Sequence, residues 1–66
     1  MSRYYVNKNE QSTGEHEVHK EGCSWFPSEN IYLGDYPTCH GAVIKARDHY
    51  TNVDGCKHCC PDCHTK

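Results

Sequence analysis

The sequence contains no long apolar run, no stripe of basic residues, no internal repeat and no low-complexity segment. The missing apolar run excludes a transmembrane helix, which needs about 20 predominantly apolar residues. The opening "MSRYYVNKNE" shows no charged start followed by an apolar stretch, so a secretory leader is not expected there and a cytoplasmic location is. The seven basic residues, Arg3, Lys8, Lys20, Lys45, Arg47, Lys57 and Lys66, are scattered over a chain of net charge −2. Nucleic-acid binding depends on clustered Lys and Arg that neutralise phosphates, so this distribution argues against it.

Strongly apolar residues are also scarce: Val6, Val18, Trp25, Phe26, Ile31, Leu33, Val43, Ile44 and Val53, supported by five tyrosines. A 66-residue chain forms at most one domain, and a chain of that size buries only roughly 60 % of the surface it exposes when unfolded. Such a domain needs a staple, either disulfides or a structural metal. Six cysteines and six histidines supply the material. In a reducing cytosol, clustered cysteines more often ligate metal than pair with each other.

The local pattern gives a coarse order of elements. Residues 3–7 are aromatic and β-branched and read as a strand, and "NKNEQSTG" reads as a turn or loop. "EHEVHK" alternates, with His16, Val18 and Lys20 on one side and Glu17 and His19 on the other, which predicts a second strand in a hairpin with the first. Trp25-Phe26-Pro27 follows as an apolar plug expected beside a site, and Ile31–Leu33 reads as a short third strand ended by Gly34. Between Thr38 and Tyr50 the period changes: Cys39, Ala42, Val43, Ala46 and Tyr50 share one face of an amphipathic helix, with Pro37 and Thr38 suited to its start. The helix is expected to stop before residues 52–55, "NVDG", which deliver the chain to Cys56. The expected fold is a small α+β domain spanning residues 1–66, ordered over about 3–60. It consists of a hairpin and short third strand packed on one helix, then a cysteine-rich knuckle.

Residues 55–64, "GCKHCCPDCH", hold four cysteines and two histidines. Cys56-x-x-Cys59 on a turn can aim two thiolates at one tetrahedral ion, and His19-x-x-x-Cys23 at the end of the hairpin supplies a second pair. One His with three Cys is a common closed zinc site. An ion joining the two pairs would tie off about 33 residues, which the loop-closure relation values at roughly 3 to 4 kcal/mol.

The stretch "YYVNKNEQSTGEHEVHKEGC", then "IYLGDYPT" leading into a helix, then "GCKHC", resembles the small zinc-binding domain at the N-terminus of the Ada DNA-repair protein. The resemblance covers about residues 4–60 and implies zinc ligands at His19, Cys23, Cys56 and Cys59. In that family the first of these positions is a zinc-bound cysteine that accepts a methyl group from a DNA phosphotriester. Here it is His19, a poor acceptor in that role, so the repair activity is not carried over.

Cys60, Cys63 and His64 stand outside this set. They are additional or alternative ligands, or else thiols and an imidazole exposed on a frayed end. Cys39 lies on the apolar helix face, where a buried cysteine acts as a small hydrophobe. His16, His49, His58 and Asp62 are expected at the surface, and His40 near the helix N-terminus. Two rival chemistries are weighed. A redox-active Cys-x-x-Cys normally opens a helix, for which Pro61 leaves little room; a disulfide framework has 15 possible pairings of six cysteines. No Ser/His/Asp set is apparent, and a closed ligand shell leaves no position for a substrate water, so no enzyme is expected. The function expected is a monomeric structural zinc module that binds a protein partner through Tyr4, Tyr5, Tyr32 and Tyr36. The alternatives are metal handling or thiol sensing by the C-terminal cluster, and Ada-type DNA binding without methyl transfer.

Overall fold

A computed structural model describes residues 1–24 and 26–65. The part of the apolar plug assigned to Trp25 lies outside the described residues. Four strands form one sheet, β1 (Ser2–Asn7), β2 (His16–Lys20), β3 (Asn30–Tyr36) and β4 (Val53–Gly55), in the order β3-β1-β2-β4. The first helix, α1 (Cys39–Ala46), follows β3, and a single 3₁₀ turn spans Pro61–Cys63. The fold is α+β, one four-stranded sheet packed against one helix. No helix among the described residues is long and apolar enough to cross a membrane.

The hairpin forms as its alternation demands. β1 and β2 pair antiparallel with Tyr5 opposite His19 and Val6 opposite Val18. Val6 and Val18 therefore point to the helix side, where both are fully buried, and Tyr5 and His19 point to the other. Of the expected helix face, Cys39, Ala42, Val43 and Ala46 are buried, and Tyr50 packs against the core. Ile44 is not part of it: the same helical period turns it to solvent, 65 % exposed.

Three elements differ from the sequence expectation. β3 continues through Gly34 to Tyr36, because a register shift against Tyr4 and Tyr5 accommodates the glycine at φ +121°. The helix ends at Ala46, well before Tyr50, and residues 47–49 turn away. The "NVDG" stretch, to which the sequence pattern assigns no element, contains β4, which pairs parallel with β2 through His16↔Val53, Glu17↔Asp54 and Val18↔Gly55. Its Asp and Gly disfavour a strand locally. The pairing is imposed by backbone hydrogen bonds from His16 N to Asn52 O (2.9 Å) and from Cys56 N to Val18 O (2.9 Å). This edge strand places Cys56 directly beside the end of β2.

Candidate metal centre

The chain reaches the site from two directions. β2 carries His19 on the face opposite the helix, and a turn closed by Cys23 N donating to Lys20 O (3.2 Å) folds Cys23 back beside it. Gly22, at φ +84°, occupies the position of that turn where a side chain would be strained. From the other side β4 delivers Cys56, and the next turn, closed by Cys60 N donating to Cys56 O (2.7 Å), presents Cys59. One donor atom from each of His19, Cys23, Cys56 and Cys59 lies within 4.8 Å of all the others. This group could hold a metal ion.

Two of the six separations fit the edges of a tetrahedral shell. Metal–sulfur bonds of about 2.3 Å and a metal–nitrogen bond of about 2.0 to 2.1 Å give edges of about 3.8 Å for S···S and about 3.5 Å for S···N. Cys23 Sγ lies 3.9 Å from Cys56 Sγ, and Cys59 Sγ lies 3.8 Å from His19 Nδ1. The three sulfurs are free thiols. Glu17, two residues before His19 and so on the same strand face, has Oε1 3.5 Å from His19 Nε2. Nδ1 thus faces the thiols and Nε2 a carboxylate, the arrangement by which outer carboxylates orient ligating histidines. The backbone N–H of Lys20 donates to Cys59 Sγ (3.3 Å), a bond that favours the thiolate.

Burial sets the electrostatics. His19 is 1 % exposed, and loss of solvent holds its pKa below the ordinary histidine value. Burial pushes the Cys59 thiol up, opposed by the Lys20 N–H and reinforced by the hydrogen bonds that this thiol makes as donor to Cys23 and Cys56. Cys60 is raised for the same first reason. Without a cation, burial favours a neutral His19 imidazole and a protonated Cys59 thiol. A dication at the middle of this centre would reverse that preference for the sulfur.

The residues left open by the sequence divide sharply. Cys63 is neither a ligand of this group nor exposed on a frayed end: it forms a disulfide with Cys39 (Cα–Cα 6.4 Å). The reading of Cys39 as a simple hydrophobe is corrected with it. The helix face that buries Cys39 also aims its sulfur at the 3₁₀ turn. His64 is not one of the four donors: its Nδ1 lies 3.0 Å from Gly55 O and 3.1 Å from Asp54 Oδ2. Asp54, 3 % exposed, also accepts from the backbone N and Oγ1 of Thr65 (both 2.9 Å), so it ties down the C-terminal residues. Cys60 is buried at 1 % exposure with Sγ 3.9 Å from Cys59 Sγ, beside the four donors rather than among them.

His49 and His58 are exposed, as is Asp62, while His40 is the exposed second residue of α1. His16 is half-buried and stacks on Tyr50, centroids 3.6 Å apart. The four tyrosines do not share a face. Tyr4 is buried on the helix side with Tyr36 beside it (6.3 Å), whereas Tyr5 lies on the other side between Tyr32 (5.3 Å) and Phe26 (4.9 Å). Phe26 reaches on to the His19 ring (6.2 Å), so the described part of the apolar plug does lie beside the site.

No family model, curated protein or solved structure matches this chain. The likeness to the Ada domain therefore has only the ligand spacing behind it. Sequence reasoning missed Glu17 as a partner of His19, although its place two residues away on one strand was the available signal. It also missed the disulfide, for which no local spacing gives a signal.

Proposed function

We propose that this chain is a small, non-catalytic zinc-binding module in which His19, Cys23, Cys56 and Cys59 hold one structural ion. The observation that carries this reading is the match of the 3.9 Å S···S and 3.8 Å S···N separations to the edges of a zinc tetrahedron. Three thiols and one imidazole suit zinc by ligand type, and Glu17 supplies the outer carboxylate. Four protein donors complete the shell, so the ion's work is to tie the hairpin to the knuckle rather than to activate water. The interaction side of the reading narrows to Phe26 and Tyr32, 37 % and 53 % exposed, with Tyr5 between them.

Metal handling keeps one specific observation in its favour, the buried free thiol of Cys60 next to Cys59. Chelation separates the two readings. For a structural ion, EDTA at neutral pH removes one zinc per chain and the backbone amide dispersion collapses in the same transition. Exchange through Cys60 predicts zinc loss while the dispersion persists.

A further inference from the structure

A second group of donors lies where the knuckle meets the start of the helix. One donor atom from each of Cys39, His40 and Cys63 falls within 4.8 Å of the others. Two of these sulfurs are joined in the disulfide. We infer that reduction of the Cys39–Cys63 disulfide uncovers a second metal site, in which both thiolates and the His40 imidazole take a thiophilic divalent cation such as zinc or cobalt.

The surroundings fit this inference. Cys39 and His40 are the first two residues of α1, and Cys63 ends the 3₁₀ turn. A cleft of about 320 Å³ runs beside this group and is lined by His40, Asp62 and Cys63, with Arg47 further along. His40 and Asp62 are exposed, so neither must leave a packed position to reach an ion. Asp62 or water completes four-coordination, and the Arg47 charge partly offsets two thiolates and a carboxylate. The backbone on both sides is held without the S–S bond. The helix is anchored on the sheet by Ala42, Val43 and Ala46, and the 3₁₀ turn by Cys63 N donating to Cys60 O (3.0 Å). Opening the site requires the two sulfurs to part from bonding distance to about 3.8 Å, a side-chain adjustment.

The chemistry balances with a dithiol as reductant. Its two thiol hydrogens and two electrons pass to Cys39 and Cys63, and the dithiol leaves as a cyclic disulfide. The cation then displaces the two thiol protons into solvent and takes the neutral imidazole as its third ligand. This site uses none of the four residues of the first centre, so each can fail alone.

Cobalt(II) titration of the whole chain tests the inference, with thiolate-to-cobalt charge-transfer absorption as the readout. One sample keeps the disulfide; the other is reduced with a dithiol that is removed under anaerobic conditions. The expected result is one cobalt in the first and two in the second. His40→Ala, at an exposed position, weakens the second ion at least about tenfold and leaves the first unchanged, and Cys39→Ser abolishes the second. The inference is overturned if the reduced chain binds the same number of ions as the intact one. A second ion indifferent to His40→Ala, or lost instead in Cys60→Ser, also overturns it. No cobalt in the intact chain would refute the first centre alone, and the extra ion on reduction would still be read separately.

Discussion

One disulfide and, on the proposed reading, one metal ion tie down the knuckle, and the two differ in chemistry far more than in geometry. The four-donor centre joins β2 and its following turn to Cys56 and Cys59. The disulfide joins the start of α1 to Cys63, across a sequence separation of 24. As closures of the unfolded chain the two are nearly equal, each worth roughly 3 to 4 kcal/mol by loop entropy. The difference lies in the bonds. Structural zinc in small domains contributes apparent free energies of about 10 to 16 kcal/mol at neutral pH, and that contribution answers to chelators and acid. The disulfide answers to reductant. Cysteines only a few residues apart are thus sorted by which neighbour their backbone faces: Cys56 and Cys59 turn to the hairpin, Cys63 to the helix.

The largest effect expected is on the metal side. Cys56→Ser removes a donor that is 1 % exposed and central to the site. Its zinc affinity should fall by more than the roughly 10- to 100-fold that loss of an outer partner brings, as read by competition with a chromophoric chelator. Next comes the disulfide. The Cys39→Ala, Cys63→Ala double variant should lose roughly 3 to 4 kcal/mol in denaturant unfolding with zinc present, and it should still bind one zinc. A variant that loses zinc as well would show the two cross-links to be one unit.

The junction between them is tested by Gly55→Ala. An added Cβ would stand 2.7 Å from Cys63 Cβ and 2.9 Å from the Cys60 carbonyl oxygen, with backbone on one side and the disulfide on the other. Overpacking of this kind costs about 1 to 3 kcal/mol, measurable as a lowered denaturation midpoint. Glu17→Gln keeps the shape but removes the charge facing His19 Nε2. Zinc affinity should drop by about tenfold while disulfide content, assayed by thiol titration, stays constant.

How much of this was legible in the sequence follows from how far each feature depends on distant chain. The hairpin and the helix face were readable because their periods are local, as Val6, Val18, Ala42 and Ala46 show. The four donors could be named because each pair, His19 with Cys23 and Cys56 with Cys59, carries its own spacing. β4 was hidden because Val53, Asp54 and Gly55 have no strong strand preference and pair only with β2, which lies far away in sequence. The disulfide was hidden for a related reason: Cys39 satisfies a helix pattern by itself, and nothing near it points to Cys63. The tyrosines were grouped by type, whereas strand alternation sends Tyr4 and Tyr5 to opposite faces.

X-ray absorption at the zinc edge of the disulfide-intact protein tests the central claim most directly. The account predicts one zinc per chain with three sulfur neighbours at about 2.3 Å and one nitrogen at about 2.0 to 2.1 Å. The nitrogen shell should be lost in His19→Ala and kept in His49→Ala. Four sulfur neighbours, which would put Cys60 in place of His19, or no zinc retained at all, would contradict it.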